Sequence, residues 1–447
     1  MEFPMFRGIF GAFLMLVLMT STLALTSTAQ AAVWNDVNQW SPQWEARFAE
    51  WVHNEWQADF FARKTLPNGQ NNPYQGLRLD CADTVYSMRL IFSYENHLPF
   101  IVQDPTASGK TISNKMSRFD NMNDTDRIRA FLRFIYDTTS THSLPNDTFP
   151  VAISLDYIHS GGLMMTVAKN HHSWSMKDML AIGVPYFVFN STVGASSGSM
   201  LQQRQSWPNP DWVFEGDFTP AGNAGFRYWR PAESLNKPVW QTPGYSEEQY
   251  KIPLSKWVSV VQAKLAVNHE TDQQLLSRLL FTACDGLKNR VGAVNDGLNF
   301  LRQHPACMNA DDFETYSTPS RDHRVFDDLV ALRHAFRQIM HTNLGRDVSE
   351  QMKAQLNKIF PALDSSIVNE TRIMSPVGID ANSACVVEYS QGHKVDLADF
   401  KRRIFAGLIS NNPNDDVSYR WGEARGPSQK AKSCPSGDSW TPDLNQD

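Results

Sequence analysis

The five cysteines constrain this chain of 447 residues more than any other feature. They are Cys81, Cys284, Cys307, Cys385 and Cys434: four in the C-terminal half and one alone, far upstream. In an oxidising compartment cysteines pair, and an odd one is left as a free thiol or an intermolecular link. Four cysteines allow three connectivities, and the economical one joins neighbours, Cys284 with Cys307 and Cys385 with Cys434. Each bridge stabilises a fold by about 2–4 kcal/mol. Cys81 is then the expected free thiol.

The N-terminal stretch reads as an export signal over 1–31. Arg7 precedes an apolar run over 9–18, and Ala29-Gln30-Ala31 suits a signal peptidase cutting before Ala32. The alternative, an uncleaved anchor, needs about 20 apolar residues, and this run is shorter. No cysteine follows the run, which excludes a lipoprotein anchor, and no later run is long enough to span a bilayer. The expectation is a periplasmic or secreted protein without stable membrane insertion. Its composition, 42% hydrophobic and 20% charged, excludes a mainly disordered, collagen-like or polytopic membrane chain. The net charge of −6 leaves no footprint for nucleic acid. The oligomeric state is not legible.

Hydrophobic patterning divides the rest in three. Over 32–195, helices are expected at 40–63, 81–96 and 127–138, followed by short strands over 149–154, 162–167, 172–176 and 186–189. A Pro/Gly/Ser-rich excursion or linker covers 196–253. A helical domain covers 254–447, where Val325, Leu329, Leu332, Phe336 and Ile339 repeat at helical spacing over 320–341, and a similar stripe over 275–301 is interrupted by Gly286, Gly292 and Gly297. All four paired cysteines fall in this domain.

Cys81 is placed to be reactive. Asp80 suits an N-cap and Asp83 completes a partial capping box, so Cys81 opens a helix whose N-terminus favours a thiolate. Asp80 opposes that effect, so a histidine is needed as well. His171 and His172 open His-His-Ser-Trp-Ser-Met, and period-2 alternation puts His172 and Trp174 on one face. His172 is the expected base; a register off by one residue would put His171 there instead. Asn190, at the end of the next strand, is placed to accept the other imidazole N–H, and the amide of Gln75 to help hold an oxyanion.

These residues resemble a family. Leu79-Asp80-Cys81-Ala82-Asp83-Thr84-Val85 resembles the nucleophile motif of NlpC-type cell-wall peptidases, and Gly161-Gly162-Leu163-Met164-Met165 looks like the strand before their catalytic histidine. Cys81 with Leu98-Pro99, His172-Ser173-Trp174 and Asn190-Ser191-Thr192 is also similar to transglutaminase-like proteins, except that Asn190 stands where Asp is usual. Both families belong to the papain-like cysteine hydrolase superfamily. The resemblance covers about 70–195. It implies an α+β fold, in which a helix bearing the cysteine packs on a small antiparallel sheet, and an amide hydrolase or acyl transferase with a Cys81–His172–Asn190 triad and Gln75 at the oxyanion. Peptide or peptidoglycan is the substrate it implies, with no cofactor and no metal.

Two other readings stand beside this one. Gly194-Ala195-Ser196-Ser197-Gly198 matches the nucleophile elbow of serine hydrolases, but Ser199 to Ser206 lacks an apolar stripe and meets Pro208. A non-catalytic secreted binding or structural module, its 13 Trp and 26 Phe lining a groove, would leave Cys81 an ordinary buried thiol. There is no H-E-x-x-H and no C-x-x-C, so no metal site is expected.

Overall fold

The computed structural model describes residues 32–166, 172–190, 199–207, 224–437 and 439–445. Helix α1 (Pro42–Glu55) starts where Ser41 accepts a bond from the Trp44 N–H and Pro42 supplies a preset φ. Its aromatic residues meet α2 (Cys81–Glu95): Phe48 and Trp51 lie 5.2 and 5.7 Å from the Phe92 ring. Helix α3 (Asp124–Thr138) covers α2 with Ile128, Phe131, Leu132 and Ile135. After β1 (Ile101–Gln103), β2 (Thr111–Ser113) and the one-turn α4 (Leu144–Asp147), the chain enters a six-stranded antiparallel sheet.

That sheet takes β3 (Thr148–Pro150), β4 (Leu163–Thr166), β5 (His172–Met179), β6 (Pro185–Phe189), β7 (Gln202–Arg204) and β8 (Gly225–Trp229), in the spatial order β3-β8-β4-β5-β6-β7. Both faces are covered. Leu163, Met165 and Val188 belong to the core under α1, α2 and α3. Met164, Trp174, Met176, Phe187, Phe189 and Phe226 pack on the other side against Trp257, Val261 and Leu265 of α5 (Trp257–Leu265). Two covered faces explain why the strands read as short apolar runs rather than clean alternation. Of the excursion or linker expected over 196–253, the linker alternative is corrected: β7 and β8 are strands of this sheet, and β8 lies between β3 and β4. α5, expected in the helical domain, packs on the sheet instead.

The helical half has its own core, built on α6 (Asp272–Gln303) and α8 (Pro319–Asn343), with α7 (Ala310–Tyr316) between them. Leu276, Ala283, Leu287 and Val294 of α6 share this core with Val325, Leu329, Leu332 and Phe336 of α8. Three more helices, α9 (Glu350–Ile359), α10 (Ile367–Ile373) and α11 (Leu397–Phe405), complete it with the hairpin β9 (Val387–Ser390) and β10 (His393–Val395). Among the described residues, no helix is long and apolar enough to cross a membrane.

The glycines do not interrupt α6, and they differ in role. A Cβ on Gly286 would stand 2.7 Å from Val325 Cγ2, whereas one on Gly292 meets nothing within 4 Å. Gly292→Ala is therefore expected to stabilise by about 0.5–1 kcal/mol through helix propensity. Gly286→Ala should destabilise by about 1–2 kcal/mol, because the β-branched Val325 has little freedom to yield. Urea unfolding of the two variants checks the opposite signs.

The cysteine pairing is also corrected. Cys284 bonds Cys385 and Cys307 bonds Cys434. Cys284 sits mid-way along α6 and Cys307 lies beyond its C-terminus. The intervening helix separates them by roughly 30 Å at 1.5 Å per residue, far beyond disulfide reach. Cys81 is free, as expected.

Candidate functional site around Cys81

The chain enters α2 through a reciprocal cap. The Asp83 N–H donates to Asp80 Oδ1 at 3.0 Å, and the Asp80 N–H donates to Asp83 Oδ2 at 2.9 Å. Cys81 is therefore the first helical residue, and it is 7% exposed. Its sulfur lies 3.1 Å from Thr141 Oγ1, which is 3.4 Å from Ser173 Oγ on β5. Asn190 is 3% exposed, and its Nδ2 donates to the Leu79 carbonyl at 2.6 Å, fixing the segment that leads into the helix.

Alternation along β5 assigns its side chains. Ser173, Ser175 and Lys177 face the helices: Trp56 Nε1 donates to Ser175 Oγ at 3.0 Å, and Lys177 Nζ to the Val52 carbonyl at 3.4 Å. His172 and Trp174 face the other way. The His172 ring is 5.4 Å from Trp174 and 6.0 Å from Phe189, within the aromatic core beneath α5. The expected approach of His172 to Cys81 is thus corrected: a sheet lies between them. The sequence shows that His172 shares a face with Trp174; it does not show which face α2 covers. Asn190 follows Phe189 on β6 and turns toward the start of α2, so it does not back the His172 ring as expected. Gln75 is exposed, and it is its carbonyl that is engaged, accepting from Arg129 Nη1 at 2.9 Å. His171 and Ser196 lie outside the described residues.

The structure therefore brings together Cys81, Thr141 and Ser173, with Asn190 one hydrogen bond behind. Thr141 and Ser173 were not anticipated. Ser173 left a signal, since Ser173, Ser175 and Lys177 make a polar row opposite Trp174 and Met176; Thr141 sits in an undistinguished hydroxyl run, Thr138-Thr139-Ser140-Thr141.

Electrostatics here reverse an expectation. Burial pushes the Cys81 thiol up, the Asp80 charge adds to that, and hydrogen bonds from Thr141 and from the Ser173 hydroxyl and N–H only partly offset it. Burial and the neighbouring Asp80 charge also raise the Asp83 carboxyl. The expected low-pKa thiolate gives way to a neutral thiol at pH 7. Thiolate ultraviolet absorbance, with a Cys81→Ala blank subtracted, should accordingly be absent at pH 7 and grow in above the range of an ordinary thiol; a band already present at pH 6 would contradict this.

Burial also holds the His172 imidazole down, to about 3, with Arg324 contributing. Among the described residues no group of three or more His, Cys, Asp or Glu side chains is placed to hold a metal ion.

Compared with protein-family models, curated proteins and solved structures, the chain matches none.

Proposed function

We propose that this protein is an exported cysteine-dependent amide hydrolase or acyl transferase of papain-like type, acting on cell-wall peptides, with Cys81 as nucleophile. The supporting observation is the lone thiol at the first residue of a capped helix, set against a central antiparallel strand by Thr141 and Ser173. The compartment is supported by the two disulfides, which persist where the surroundings are oxidising.

The base we infer is His171. His172 faces away from Cys81, and His171 is the alternative base that the sequence offers for a register shifted by one residue.

A neutral thiol calls for base-assisted attack rather than a preformed ion pair. The histidine takes the Cys81 proton as the sulfur bonds to the amide carbon. The backbone N–H groups at the start of α2 stabilise the oxyanion. The histidine then protonates the leaving amine as the C–N bond breaks, leaving a thioester. Water or a second amine, deprotonated by the same histidine, attacks the thioester carbon, and the sulfur leaves to recover its proton. Asn190 is a positioning residue that holds the Leu79 carbonyl and hence the helix start.

Alkylation by iodoacetamide at pH 7 tests the base. His171→Ala should slow Cys81 modification by about 10²-fold. His172→Ala should leave the rate of the folded protein unchanged. Equal rates in wild type and His171→Ala would remove His171 from the mechanism.

A second reading, a non-catalytic binding or structural module, is favoured by the burial of Cys81 and its raised pKa. Under it, neither histidine affects alkylation, and Cys81→Ala lowers stability instead of activity.

A further inference from the structure

A small cleft of about 30 Å³ lies where the sheet meets the helical half. Phe189 and Arg204 wall it on the sheet side, Asp285 on α6, and Arg321, Arg324 and Asp328 on α8. We propose that this cleft binds a single oxyanion, a carboxylate or a phosphate, with Arg321 as its principal ligand.

The neighbouring acids are already engaged. Arg204 Nη2 donates to Asp328 Oδ1 at 2.7 Å, which neutralises that pair. Asp285 accepts from the Gln203 N–H and from Asn289 Nδ2, at 3.2 and 2.9 Å. Asp322, next to Arg321 in sequence, is held by Arg290 Nε at 2.6 Å and by the Thr318 hydroxyl at 2.8 Å. What remains for Arg321 is the Ser317 carbonyl at 3.5 Å, and among the described residues no carboxylate comes within 4 Å of it. Asp296 and Asp322 act on it only across space. The cleft therefore presents a guanidinium without a contacting carboxylate, in a site where two further arginines converge.

The arginines also oppose one another. Burial, then Arg321 and Arg204, depress the Arg324 guanidinium to about 9, and burial lowers Arg321. An oxyanion against Arg321 offers the planar fork its preferred acceptor. The volume admits one anionic group and excludes a larger ligand body.

Location gives the cleft meaning beyond the interface. Phe189 is one of its walls, and the next residue, Asn190, holds the Leu79 carbonyl two residues before Cys81. The anion is thus either a carboxylate on a bound peptide or a free inorganic ion. The proposal does not depend on the assignment of Cys81 as nucleophile, and its test reads binding alone.

The test follows thermal unfolding of the full chain at constant ionic strength, set with sodium chloride, against rising inorganic phosphate. Wild type should be stabilised saturably. In Arg321→Gln the dissociation constant should weaken about tenfold, the loss of one charge-assisted hydrogen-bonding pair. Arg321→Lys, which keeps the charge and loses the fork, should bind more tightly than Arg321→Gln and more weakly than wild type, and each variant's own transition reports that it is folded. N-acetylalanine and its amide are run alongside: stabilisation by the acid and not the amide identifies a peptide carboxylate as the ligand, whereas stabilisation by phosphate alone identifies a free inorganic anion. Either supports the site. Absence of saturation in wild type, or equal responses in wild type and Arg321→Gln, overturns it.

Discussion

Replacing Cys284 and Cys385 together by serine is expected to lower stability by about 4 kcal/mol. The bridge spans 101 residues of sequence, and closing so long a loop removes much of the freedom of the unfolded chain. It also joins α6 to the segment entering the β9–β10 hairpin, two parts of one helical core with no strand pairing between them. For a unit of this size the loss corresponds to a fall of about 10 °C in the melting temperature. The fall should belong to the helical half, since the sheet has separate cores under α1–α3 and under α5. Tryptophan fluorescence is suited to the comparison, because Trp34, Trp56 and Trp174 report the sheet cores and Trp421 the helical one. A shift of less than about 2 °C would mean that packing alone carries the helical half.

His172→Ala is expected to cost about 2–4 kcal/mol, the range for emptying a well-packed aromatic site. His172 is 6% exposed and sits between Trp174 and Phe189. The same burial makes the fold sensitive to acid. His172 is held down to about 3, so the folded protein keeps it neutral where the unfolded chain, titrating near 6.5, binds a proton. A depressed histidine therefore contributes stability that is complete above about pH 6.5 and is lost as pH falls from there toward 3. His172→Phe fills the same space without a titrating group. Between pH 7.5 and 4.5 the variant should gain about 2–3 kcal/mol relative to wild type. The raised carboxyls of Asp83, Glu95 and Asp147 work in the opposite direction, losing stability as pH rises, but they are common to both proteins and cancel in the comparison. Parallel pH dependences would mean that His172 is hydrated in solution.

The elements with strong local signals were legible. Asp80 and Asp83 mark the start of α2 within a residue, and the apolar spacing from Val325 to Ile339 marks α8. Of the strands expected at 162–167, 172–176 and 186–189, the described parts form β4, β5 and β6 of one sheet. What was not legible depends on long-range packing. β8 reaches the sheet interior from a stretch dominated by turn residues, and its partners β3 and β4 are distant in sequence. The disulfides follow the path of α6, whose three glycines hid a continuous helix of 32 residues. The site differs for one reason: alternation relates His172 to Trp174, but which sheet face receives α2 is a matter of long-range packing, in which Leu163, Met165 and Val188 join the core of α1, α2 and α3. Asn190 was expected behind the His172 ring; its side chain donates to the Leu79 carbonyl at the start of α2.

The role proposed for Cys81 is that of a nucleophile acting on amide bonds. Digestion of purified peptidoglycan, followed as newly released amino groups and compared between wild type and Cys81→Ala, tests it most directly. Release is expected from wild type and none from Cys81→Ala, with the melting temperature of the variant almost unchanged, since one small side chain at a helix start adds little to the core. No release by wild type, or equal release by both, would contradict it.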